Sequence, residues 1–133
     1  MGSEMCIRDS AERRLMAMVE PFISHRTDGR VLNDLAPEAM IRALAIASVL
    51  GTTSAYTWLK VPVVEDMEQV MAASTLPALL LGGEVADDPE STFAGWQKAL
   101  RLPNVMGLVA GRSLLYPADG NVAAAVDTAV SLL

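Results

Sequence analysis

The sequence predicts an α/β protein built from successive parallel strand–helix units, and three observations carry that prediction. Short apolar runs without polar alternation recur along the chain and end at Gly, Pro or a charged residue, as strands buried on both faces do. Stretches with helix start and stop signals lie between the runs. The interval from one run to the next is roughly 20 to 40 residues, the size of a βα unit.

Taken in order, the first strand is predicted at 15–19 (LMAMV), ending at Glu20-Pro21. The second is 54–59 (SAYTWL), rich in β-branched and aromatic residues and ending at Lys60. The third is 77–81 (PALLL), ending at Gly82-Gly83, and the fourth is 105–110 (VMGLVA), ending at Gly111-Arg112. A helix over 37–50 opens with Pro37 just inside its start and closes at Gly51. A second, 65–73, is acidic in its first turn, where the macrodipole favours negative charge. Asp88-Pro89 reads as an N-cap followed by proline at the first helical position of a helix to about residue 100. An Ala/Val-rich helix over 119–133 closes the chain. Residues 22–34 are left as a long loop, and loops of that length are often functional. Residues 1–10 (MGSEMCIRDS) show no apolar periodicity and no secretory-signal core; they read as a non-native-looking leader, outside a domain covering 11–133.

Composition narrows the function classes. The 133 residues suffice for one domain, and 52% are apolar, with mean hydropathy +0.34, in keeping with buried parallel strands. The longest apolar candidate for a membrane span, 39–50, is shorter than the roughly 18 residues required and contains Arg42, so a soluble chain is expected. A net charge of −6 and a pI near 4.6 argue against nucleic-acid binding, which uses clustered Lys and Arg. One histidine and one cysteine, the latter in the leader, are too few for a His/Cys zinc site, and no dinucleotide fingerprint or P-loop is present; neither metal nor cofactor is expected. A thiol-free remainder suits a cytoplasmic location.

The predicted strands end in Glu20, Lys60, Gly82-Gly83 and Gly111-Arg112, and in parallel α/β folds chemistry gathers at the C-terminal strand ends. Lysine is scarce here, found only at Lys60 and Lys98. A lysine at the mouth of a buried strand, partly removed from water, is a candidate imine-forming nucleophile. The alternative is a snorkelling side chain at a strand end. Glycine turns let backbone N–H groups converge on an anion, to which Arg112 adds a bidentate contact; the alternative is that the glycines only permit tight turns. Glu20 acts as an acid/base or orients Lys60; the alternative is a carboxylate held by a surface arginine. His25 and Arg26 lie in the long loop without a motif around them, and Phe93 and Trp96 read as packing residues of one helix.

Together YTWLK, PALLLGGE, GLVAGRSLLYP and MVEPF resemble the sixth, seventh, eighth and fifth strands of the class I (Schiff-base) aldolases, in particular the deoxyribose-phosphate and archaeal-type fructose-bisphosphate aldolase-like (βα)8 group. The likeness covers residues 15–133. It implies the C-terminal half of a TIM (βα)8 barrel, about four parallel βα units. Lys60 is then the Schiff-base lysine and Glu20 a catalytic partner, with Gly82, Gly83, Gly111 and Arg112 holding the phosphate of a phosphorylated sugar or keto acid. A complete barrel takes about 250 residues, so the expectation is a fragment, a homo-oligomer, or a chain that pairs with a missing N-terminal half. The implied activity is carbon–carbon lyase. The alternatives are a non-covalent phosphosugar-binding isomerase or epimerase, and an inactive half-barrel serving assembly.

Overall fold

The computed structural model describes residues 2–83 and 88–133. Glu84 of the third strand motif and Asp87, read as a helix-terminal charge, lie outside the described residues. The elements run α1 (Ser3–Glu12), β1 (Ala17–Val19), β2 (Ile23–Thr27), β3 (Arg30–Asp34), α2 (Pro37–Ser48), β4 (Thr57–Val61), α3 (Met67–Ala72), β5 (Ala78–Leu81), α4 (Pro89–Ala99), β6 (Val105–Val109), α5 (Arg112–Leu115) and α6 (Val122–Val130).

Each predicted strand forms, and the four lie side by side in chain order, β1-β4-β5-β6, every pair parallel. Alternation along β4 sets the layering. Thr57, Leu59 and Val61 are buried, and Leu59 and Val61 join Met40 and Leu44 of α2 and Val70 and Met71 of α3 in one core cluster. Trp58 and Lys60 point to the opposite face, as every second residue of a strand must. That face is thinly covered: Met18, paired with Trp58, is 52% exposed. The sheet is therefore dry under its helices and wet on its other side.

Local signals explain the helix ends. Pro37 occupies the first turn of α2, and Gly51 follows the helix at φ +87, in the left-handed region that favours glycine. The Asp88 side chain accepts from the backbone N–H groups of Glu90 and Ser91, capping α4 as predicted. Trp96 is buried on α4 and meets Phe93 edge to face at 5.3 Å. The closing helix starts later than predicted, at Val122, because Asn121 is its cap and accepts from Ala124 N–H. Asp119 instead accepts from Asn121 N–H in the preceding turn.

Three further features differ from the sequence prediction. Residues 22–34 are not a loop: β2 and β3 form an antiparallel hairpin closed by Asp28-Gly29, both at positive φ (50 and 77). Asp-Gly is the dipeptide that a two-residue hairpin turn demands, and the five-residue strands beside it were obscured by their mixed polarity. Residues 3–10 of the stretch read as a leader fall in α1, which runs on to Glu12 and whose Ile7 is buried beside Gly51. Finally, β4 begins at Thr57 and runs past Lys60 to Val61.

A polar clamp ties α3 to the strand that follows α4. Asn104 Nδ2 donates to the carbonyls of Met71 and Ser74, at 3.0 and 2.9 Å, where α3 ends. By contrast Thr57 Oγ1 is buried without a hydrogen-bond partner among the described residues. Asn104→Ala is expected to lower stability by about 1–3 kcal/mol, because two carbonyls lose their donor. Thr57→Val is expected to leave stability unchanged or to raise it by about 1 kcal/mol, because it removes an unpaired buried hydroxyl while keeping the shape. Urea denaturation of both variants checks the two signs together.

Candidate functional site

Parallel pairing delivers all four strand ends to one edge of the sheet. The register Val19↔Leu59 brings the next residues, Glu20 and Lys60, alongside each other. Lys60 Nζ donates to Glu20 Oε2 at 3.0 Å, with the two side chains 25% and 43% exposed. The residues are 40 apart in sequence, so the contact exists only because of the sheet. On its other side Lys60 is paired with Leu79, which in turn is paired with Gly107. The lysine thus has a carboxylate on one flank and an apolar side chain on the other.

The glycine pair after β5 divides into two roles. Gly82 N–H donates to the Val109 carbonyl at 3.2 Å, so it already serves the sheet. A Cβ on Gly82 would sit 2.8 Å from Ala110 Cβ and 2.9 Å from Ala110 Cα, and Ser113 Oγ donates to the Gly82 carbonyl at 3.4 Å. Gly82 therefore lets the turn after β6 lie against the turn after β5. Among the described residues, no atom lies within 4 Å of a Cβ placed on Gly83, at φ +69, or on Gly111. Arg112 opens α5 directly after Gly111 and is exposed. Ser113, which lies in the GLVAGRSLLYP motif but was not singled out as a site residue, bridges the two turns.

His25 and Arg26 are not drawn into this group; both are exposed on β2. A cleft of about 560 Å³ opens beside the turns, lined by Pro62, Val63, Glu65, Gly82, Gly83 and Trp96 among others. Lys60 is not among the residues that line it. Among the described residues no group of His, Cys, Asp and Glu side chains is arranged to hold a metal ion, and no helix is long and apolar enough to cross a membrane.

The four-stranded parallel sheet with helices on one face is an α/β fold. Solved structures share it: a Schiff-base-forming fructose-1,6-bisphosphate aldolase is similar at TM-score 0.71 and 24% identity, over 98% of this chain and 50% of that one. An archaeal fructose-1,6-bisphosphate aldolase, with its catalytic lysine bound to a carbinolamine intermediate, is similar at TM-score 0.73 and 22% identity, over 98% and 49%. The chain belongs to the Cgl0159-like family, whose model matches residues 2–130 and so includes α1. It is similar to the crystal structure of Cgl0159 from Corynebacterium glutamicum (Brevibacterium flavum), at 53% identity and TM-score 0.94, over 98% of this chain and 43% of that one. No curated protein matches the chain. The chain thus spans half or less of the length of each of these relatives.

Substitution separates the two glycine roles. Gly82→Ala is expected to cost about 1–3 kcal/mol, because its new methyl meets backbone and Cβ atoms of Ala110. Gly111→Ala, at φ −129 with no atom within 4 Å, is expected to change stability by less than about 0.5 kcal/mol. Denaturation midpoints compare the two directly.

Proposed function

We propose that the chain carries the reactive edge of a class I aldolase-type carbon–carbon lyase, with Lys60 as the imine-forming amine. The observation that supports this most strongly is the cross-strand pair: a lysine on the open face, held at 3.0 Å by Glu20 at the C-terminal edge of a parallel sheet. In this reading the Lys60 amine adds to a substrate carbonyl, and loss of water gives the iminium. Glu20 then takes the proton from the substrate hydroxyl. The carbon–carbon bond breaks, its electron pair moves into the iminium as an enamine, and an aldehyde leaves. Protonation and hydrolysis return the amine. Gly83 and Gly111 supply backbone N–H groups, and Arg112 supplies charge, for the phosphate of a phosphorylated sugar or for the carboxylate of a keto acid. Gly82 contributes by setting the approach of the two turns.

The same reading takes the four units as the C-terminal half of a (βα)8 barrel. It is supported by the exposed Met18 on the lysine face and by a relative more than twice as long. The remaining strands come from the rest of a longer polypeptide or from another chain.

Borohydride reduction in the presence of dihydroxyacetone phosphate tests the chemistry. The expected product is one adduct per chain, mapped by peptide mass to Lys60 and not to Lys98, and lost in Lys60→Arg, whose guanidinium does not form the imine. A second reading, in which Lys60 is a fixed charge of a non-covalent phosphosugar isomerase or epimerase, is favoured by the same ion pair. It predicts no adduct and retained ligand binding in Lys60→Arg.

A further inference from the structure

Among the described residues the β2–β3 hairpin pairs with no strand of the main sheet and keeps both its edges. The Asp28-Gly29 turn makes Thr27–Arg30 the closing bonded pair. Antiparallel alternation then turns the N–H and C=O of Val31 and Asn33 outward, along the free edge of β3. Such a row of unpaired groups is a template for another strand. Val31 and Leu32 on it are 62% and 46% exposed.

The strand is also complementary to itself. Set antiparallel to a second copy about Leu32, its sequence RVLND puts Arg30 opposite Asp34 at both ends and Leu32 opposite Leu32 at the centre. Val31 then lies opposite Asn33, and these are the residues whose backbone groups face outward. Among the described residues Arg30 has no ion pair, and Asp34 uses Oδ1 for Ala36 N–H, leaving its second oxygen. Opposite charges across a strand pair stabilise it, and like charges destabilise it. Strand β2 lacks this property: about His25, Arg26 would face Ser24 and Ile23 would face Thr27.

We propose that β3 is a homodimer interface, in which two copies join by antiparallel β3–β3 pairing into a four-stranded sheet with two-fold symmetry, separate from the main sheet. A two-fold axis through Leu32 makes the contact closed and isologous. Leu35, just beyond β3, lines the cleft that also contains Gly82 and Gly83, so the interface adjoins the proposed anion turns.

Sedimentation equilibrium across the micromolar range tests this. The expected result is a monomer–dimer equilibrium whose Kd rises about tenfold or more in Arg30→Asp, which opposes like charges at both ends. It rises similarly in Val31→Pro, which removes an outward N–H without breaking a bond inside the hairpin. The double variant Arg30→Asp/Asp34→Arg is expected to return Kd to within about threefold of the original, because the charges are exchanged. Circular dichroism verifies that each variant is folded. In the unmodified chain, hydrogen exchange at Val31 and Asn33 is expected to slow as concentration increases. A monomer at every concentration overturns the proposal. So does a dimer whose Kd is unmoved by both single variants, which would locate the contact on the open face of the main sheet.

Discussion

A parallel strand with helices on only one side must send every second side chain into that cover and every other one away from it, and in β4 this rule assigns the chemistry. Thr57, Leu59 and Val61 go under the helices; Trp58 and Lys60 go to the open face. A shift of one residue in register would bury Lys60 among Met40, Leu44 and Val70, where an unpaired ammonium costs several kcal/mol. The position of the lysine is therefore fixed by the apolar residues around it. The Glu20–Lys60 pair adds little in return: partly exposed ion pairs contribute about 0–1 kcal/mol, whereas truncating a buried leucine such as Leu59 costs about 2–5 kcal/mol. The core holds the pair; the pair does not hold the core.

The backbone contributes the second half of the site. Parallel strands end together, so the turns after β5 and β6 are neighbours, and their contact is closed by atoms that a side chain on Gly82 would displace. The hydroxyl of Ser113 and the N–H of Gly82 fasten that contact. Gly83 and Gly111 remain outside it. Gly82 is thus packed between the two turns, whereas Gly83 meets no described atom outside its chain neighbours within 4 Å.

Much of this was legible in the sequence. The four apolar runs, the Pro and Gly punctuation of α2 and the Asp88 cap are local signals, and each formed where its residues pointed. The pairing of Glu20 with Lys60 was legible only as two strand ends, since their meeting depends on parallel register across 40 residues. The hairpin was missed although Asp28-Gly29 marks its turn, because β2 and β3 are almost wholly exposed and lack the alternation that one buried face imposes. Helix α1 was missed for a related reason: among its described side chains only Ile7 is buried. The role of Gly82 was not readable at all, because it is decided by Ala110 and Ser113, nearly thirty residues further on.

The most direct measurement is a crystal structure of the chain after reaction with a ketose phosphate and reduction. It should show continuous density from Lys60 Nζ to the former carbonyl carbon, Glu20 within hydrogen-bonding distance of a substrate hydroxyl, and the phosphate against Gly83, Gly111 and Arg112. Unmodified Lys60 still bonded to Glu20, with the phosphate bound elsewhere, would contradict the assignment of this edge of the sheet as the reactive one.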